Sequence, residues 1–138
     1  MALRDFNACS DVEESIRPQV ATAGVNGQEI DLRGADSLLV AVSVGAITGS
    51  AGDATVTLEE SDESGTGFTA VAADDILGTQ PTLASDTAYQ FGYIGTKRYV
   101  RAVFDLGGET NVAVCAVGVR SHLHREPEGY SVESVISN

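Results

Sequence analysis

The sequence predicts an all-β fold: a single-domain antiparallel β-sandwich, with the jelly roll as one form of it, carrying extended N- and C-terminal arms. Three observations carry this prediction. Turn signals punctuate the chain about every eight to twelve residues, the spacing of short strands in a sandwich. Between them, apolar and polar residues alternate with a period of two. The apolar content is 43 % with no Trp and only 6 % aromatics, so the core must be built from Val, Ala, Leu and Ile, side chains that suit a pleated surface better than a deep ligand pocket. At 138 residues the chain is one domain, able to bury about two-thirds of its unfolded surface. No long helix and no internal repeat is expected.

The domain boundaries follow from composition. Residues 1–18 predict an N-terminal arm, rich in polar and acidic residues (Asp11, Glu13, Glu14, Ser15) and closed by Pro18. Within it Ser10, with Glu13 three residues on, is placed to cap a short helical turn. Residues 19–125 predict the sandwich. Residues 126–138 open on Glu126-Pro127-Glu-Gly, end with Val132, Val135 and Ile136, and predict a tail that pairs with a neighbour or has no order of its own.

Inside the sandwich, 19–23 and 28–32 predict strands around an Asn26-Gly27 turn. After a turn at 33–36, residues 37–46 alternate Leu38, Val40, Val42 and Val44 with Leu39, Ala41, Ser43 and Gly45, which predicts a core strand. A Gly-rich loop at 48–53 leads to 54–61, with Ala54, Val56 and Leu58 inward and Thr55, Thr57 and Glu59 outward. The segment Glu60-Ser-Asp-Glu-Ser-Gly-Thr-Gly67 lacks the ligand alternation, sixth-position glycine and terminal Glu of a calcium loop, and predicts a tight hairpin loop before a strand at 68–71. Residues 74–78 are turn-like, 81–87 form a connection and 88–94 a strand.

The chain is organised around 92–120. Val100, Ala102, Phe104 and Leu106 face one way, and Tyr99, Arg101, Val103 and Asp105 the other. Gly107-Gly108, within a connection at 107–111, supplies the positive φ angles of a hairpin. The following strand is apolar on both faces, with Val112, Val114 and Ala116 opposite Ala113, Cys115, Val117 and Val119. Such a strand lies centrally in a sandwich or is covered by a second subunit.

Charge is distributed in two halves. The formal net charge is −12; residues 51–96 carry eight acids and no base, whereas 97–125 carry five bases (Lys97, Arg98, Arg101, Arg120, Arg125) against Asp105 and Glu109. An acidic surface repels phosphate backbones and argues against nucleic acid as a partner. It is either a solvated face or one whose acidic and basic ends meet those of neighbouring copies. No run nears the ~18 apolar residues of a membrane span. Met1 to Ser10 already contains Arg4 and Asp5 and does not read as a secretory leader. A cytoplasm-like compartment and no membrane partner are expected.

Catalytic chemistry is not visible. Cys9 and Cys115 match no metal or redox spacing, and Cys115 sits among valines as a small hydrophobe. His122 and His124 share a strand face and could begin a metal site. They lack a nearby third ligand and adjoin Arg125, so exposed polar residues ending a strand are the better reading. The pairs Glu59-Glu60 and Asp74-Asp75 point to opposite faces of an extended chain and form no catalytic dyad. The prediction is a non-enzyme with no catalytic, cofactor-binding or metal residues and no cofactor. The polar feature that stands out is Lys97-Arg98-Tyr99-Val100-Arg101. Arg and Tyr are enriched at interface hot spots, and positive charge also protects strand edges. Lys97, Arg98, Tyr99 and Arg101 are the candidate interface.

Two passages resemble a family, the capsid decoration (cement) proteins of tailed bacteriophages. One is Val56-Thr-Leu-Glu-Glu-Ser-Asp-Glu-Ser-Gly-Thr-Gly-Phe-Thr-Ala-Val71 with Asp75-Ile-Leu-Gly78 following. The other is Tyr93-Ile-Gly-Thr-Lys-Arg-Tyr-Val-Arg-Ala-Val-Phe104, followed by a glycine turn, a Val/Ala strand and a His-containing end. Together they span roughly 37–127; the two arms match nothing in the family. The resemblance implies a compact β protein on the outer surface of the virion head, assembled in the host cytoplasm. It also implies a homo-oligomer, with a trimer favoured, that clamps subunits of the major capsid protein. Two further readings stand beside it. One is another virion component (tail tube, head completion or tail tip), and the other a ligand- or carbohydrate-binding sandwich, which the lack of Trp disfavours.

Overall fold

A computed structural model describes residues 9–123. Ten strands run in chain order: β1 (Ser10–Ala21), β2 (Val25–Asn26), β3 (Ile30–Asp31), β4 (Ala35–Thr48), β5 (Thr55–Ser61), β6 (Thr69–Ala70), β7 (Ile76–Leu77), β8 (Ala88–Tyr93), β9 (Tyr99–Asp105) and β10 (Asn111–Leu123). A 3₁₀ turn at Ala73–Asp75 precedes β7. Sheet A has the order β1-β10-β4-β8-β7, and sheet B the order β2-β9-β5-β6, with β3 also on β9. All pairings are antiparallel. The chain is an all-β, two-sheet sandwich; the strand order does not by itself make it a jelly roll.

The period of two in the sequence becomes a period of two in burial. On β4, Leu38, Val40, Val42 and Val44 are buried while Leu39, Ala41 and Ser43 are not. On β9, Val100, Ala102 and Phe104 are buried and meet Val56 and Leu58 of β5 on the same inner face. Sheet A returns Ile16, Phe91, Tyr93, Val112, Val114 and Ala116 to the same core. Loop residues Ala54, Val71 and Leu83 close its ends.

Three expectations are corrected. Residues 10–18 do not form an arm: they make most of β1, which pairs with β10 from Ser10↔Ser121 to Ala21↔Val112. Their polarity is that of an edge strand, where one ladder of backbone groups has no neighbour and Pro18 costs no interior hydrogen bond. The 107–110 connection is not a hairpin. It carries the chain from β9 in sheet B to β10 in sheet A, with Gly107 (φ 60°) making the corner. Asn26-Gly27 is not a two-residue turn either. Asn26 lies in β2, and Gly27 N–H bonds the Ala102 carbonyl at 2.8 Å. Among the other loops, the 61–68 hairpin matches expectation, with Gly65 and Gly67 at positive φ and buried Ser61 bonded across it to Glu63 and Thr66.

Residues 1–8 and 124–138 lie outside the described residues. With them lie the rest of the expected N-terminal arm, His124, Arg125 and the 126–138 tail.

Candidate protein interface

The two outer faces of the sandwich are chemically opposite. Sheet B wears the charges. On its outer face Arg101 of β9 stands opposite Glu59 of β5. Its Nε and Nη2 both donate to Glu59 Oε1, at 3.0 and 2.6 Å, and its guanidinium lies 4.3 Å from the Phe68 ring centre. Tyr99 shares that face, next to Asp31 of β3, and carries the Arg98 guanidinium 4.9 Å above its ring. Arg98 also makes a two-pronged bond to Asp31, with both contacts at 2.9 Å. That bond holds the Asp31 carboxyl below the usual range, against a smaller opposing effect of partial burial. Lys97 Nζ reaches Asp62 at 2.7 Å, which raises its pKa.

The four candidate residues are thus gathered at one end of β9, and every cation among them already has a carboxylate of its own chain. The sequence offered a solvated acidic face or charge contacts between neighbouring copies; within the chain, antiparallel register places Glu59 of β5 and Asp31 of β3 beside Arg101 of β9 and Arg98 just before it. Arg120 extends the pattern to the sandwich end. Its side chain is 17 % exposed, and its guanidinium bonds Asp11 at 2.6 Å, approaches Glu13 at 3.2 Å and donates to the Asp31 carbonyl of the other sheet at 2.8 Å.

A cavity of about 500 Å³ opens between the β3–β4 corner and the β8–β9 loop, lined by Arg33, Asp36, Ser37, Tyr93, Lys97 and Arg98 among others. Tyr93 Oη is committed there. It donates to Glu60 at 2.7 Å and accepts from Lys97 N–H at 3.1 Å; burial first and Glu60 second push its pKa far above that of a free phenol. In its lining Lys97 and Arg98 are paired with Asp62 and Asp31.

The outer face of sheet A differs. In register across all five strands stand Val12, Val119, Leu39, Gly92 and Leu77. The next row is Glu14, Val117, Ala41 and Gln90, and the next Cys115, Ser43 and Ala88. Val20 pairs with Ala113 beyond them, and Ser10, Ser121 and Ser37 form the row at the opposite end. Val12, Val20 and Leu77 are 62, 64 and 56 % exposed. In a chain of formal net charge −12, these rows contain one ionisable carboxylate, Glu14, on the edge strand beside Arg17. With strands about 4.8 Å apart and rows about 6.8 Å apart, the face covers on the order of 500 Å². That is as large as the largest apolar patch of a typical monomer, a size that is often functional.

No family model, curated protein or solved structure matches this chain. Its surface chemistry therefore has to be read from its own residues. The signal for this face was in the sequence, in the two-sided apolarity of 112–119. What the sequence lacked was the pairing that sets Leu39, Val12 and Leu77 beside that strand.

Proposed function

We propose that the chain is a virion structural protein, a decoration or cement protein on the outer surface of a tailed-phage head. It has no catalytic role; it assembles in the host cytoplasm, binds the major capsid protein and associates with further copies of itself, with a threefold cluster as the form the resemblance favours. The observation that carries the reading is the five-strand outer face of sheet A, a surface suited to association between copies and bearing a single carboxylate, Glu14, in an otherwise strongly acidic molecule. A face of this kind gains free energy by leaving water, and repeated over many copies on a lattice it multiplies weak contacts into avidity. The resemblance of 56–78 and 93–104 to decoration proteins supplies the phage context. Support against a sugar-binding role comes from Phe68 and Tyr99, whose rings are already covered by Arg101 and Arg98.

The test is to mix purified protein with mature and immature heads and measure bound copies per capsid subunit. Saturable, stoichiometric binding to mature heads is expected. Binding to neither form removes the proposal. Labelled particles viewed by electron microscopy separate the shell from the alternative of a tail or head-completion component.

A further inference from the structure

We infer that the outer face of sheet A is a self-complementary surface that closes on a second copy of this chain about a two-fold axis. The inference rests on the geometry of sheet A alone, and it sets a two-fold pair in place of the threefold cluster that the resemblance favours.

The face has relief, and the relief is antisymmetric. At one end of strands β1, β10 and β4 stands a ridge, Val12, Val119 and Leu39, side by side in register. At the other end of the same three strands lies a shallow depression of about 320 Å³, floored by small side chains such as Gly45, Ala113, Ser43 and Cys115 and walled by Pro18 and Val20. The depression arises from sequence. The β1 bulge between Ile16 and Gln19 turns that edge aside, and Gly45 leaves the Ala113 methyl without a neighbour to fill the pleat. Between ridge and depression runs the row containing Val117 and Ala41. A two-fold axis lying in the interface and crossing the strands at that row maps ridge onto depression and depression onto ridge. An axis parallel to the strands instead sets ridge against ridge.

The choice of occupant follows from charge and area. Among the described residues the outer face of sheet B presents Glu59, Arg101 and Asp105. A head-to-tail contact, as in a trimer, would bury some of those charges against an apolar surface at a cost of several kcal/mol per unpaired ion. Face-to-face pairing matches uncharged to uncharged except at the β1 edge, where the axis brings the two Glu14 side chains near each other at the exposed rim, each beside its own Arg17. Two faces of about 500 Å² together bury about 1,000 Å², the lower bound for a specific contact and the size of a weak, concentration-dependent pair. The packing is that of a sandwich core, two aligned sheets about 10 Å apart.

The experiment measures mass in solution and then places the ridge. Wild-type protein should sediment at twice 14.3 kDa, and Ala41→Glu should sediment as a monomer with an unchanged circular dichroism spectrum. Val119→Cys should form a disulfide-linked dimer with Cys115 of the other copy under mild oxidation, because the axis sets these two β10 positions face to face. Within one chain Val119 lies four residues or about 13 Å along β10 from Cys115, too far for an internal disulfide. A Cys9→Ser background removes the exposed second thiol. A wild-type monomer at millimolar concentration overturns the inference, and so does a trimer or a dimer unaffected by Ala41→Glu. If Ala41→Glu fails to fold, a Val119→Cys dimer linked through Cys115 still supports the inference and its absence still overturns it. Capsid binding is a separate readout: a dimer that ignores capsids fails the proposed function and leaves this contact standing.

Discussion

Ser15 Oγ, on the edge strand of sheet A, accepts a hydrogen bond at 2.8 Å from the Ala102 N–H in the middle of sheet B. The same hydroxyl donates to the Gln28 carbonyl at 2.9 Å, and Gln28 N–H bonds the Ser15 carbonyl at 2.7 Å. A side chain 2 % exposed thus takes the place of a missing strand, joining the two sheets where the β1 bulge turns it inward. Removing the hydroxyl strands one buried donor, the Ala102 N–H, at a cost of about 1–3 kcal/mol, and frees a part-buried Gln28 carbonyl. Ser15→Ala is therefore expected to lower stability by about 1–3 kcal/mol, read as a lower urea midpoint at unchanged slope.

Gly27 is held by the same junction. A Cβ built on it would lie 2.5 Å from Ser15 Oγ and 2.6 Å from the Ala102 carbonyl oxygen. The second contact is backbone and cannot swing away. Gly27→Ala should cost about 1–3 kcal/mol or more through forced backbone displacement. The check is the melting temperature against Gly34→Ala, where nothing lies within 4 Å but φ is +86°; the Gly27 variant should melt lower.

Much of this fold was legible, and the junction shows why part was not. The alternation at 38–44, 54–58 and 99–105 states its own burial, because each of those strands has one inner face. The β1 strand buries only Ser15, Ile16 and Ala21 along its length, too few to outweigh Glu13, Glu14, Arg17 and Pro18. At Asn26-Gly27 the glycine serves close approach to Ala102 and not a turn, and the two uses look alike in a sequence. Lys97, Arg98, Tyr99 and Arg101 lie on or just before one strand, as their adjacency in the sequence implies. Their carboxylate partners lie 35 to 67 residues away and become neighbours only through register.

Asp31 makes acid stability testable. Its carboxyl pKa is depressed below the ordinary 3.8, chiefly by the Arg98 hydrogen bonds. A depressed folded-state pKa contributes stability that is fully present above about pH 4 and is lost as pH falls through the lower folded value. Both side chains are about 40 % exposed, so solvent screening limits the contribution to about 1 kcal/mol or less. The stability difference between wild type and Asp31→Asn should be largest at pH 6 and shrink as pH falls below about 4. Urea midpoints measured across that range test it.

Glu109 organises the β4–β5 loop from the far side of the β9–β10 connection. It is 7 % exposed, and its two oxygens each accept one loop amide, Ala51 N–H at 3.1 Å and Gly52 N–H at 3.0 Å. Glutamine offers one oxygen and turns an N–H toward the second amide. Glu109→Gln should therefore cost about 1–3 kcal/mol, with amide exchange at Ala51 and Gly52 accelerating before the strands are affected.

Arg101 separates a structural role from an interface role. Arg101→Glu sets two acids opposite each other on neighbouring strands and strips the cation from Phe68, so it should destabilise the fold by about 1 kcal/mol whatever else the residue does. A loss of assembly in that variant alone is therefore ambiguous. The exchange Glu59→Arg with Arg101→Glu restores the cross-strand pair with its polarity reversed, and stability should return to within about 0.5 kcal/mol of wild type. If Arg101 also grips a capsid subunit, the exchanged protein will melt normally and still bind heads poorly, because the cation has moved one strand over. Wild-type affinity in the exchanged protein assigns Arg101 to the fold alone and leaves the uncharged face of sheet A as the surface that assembles.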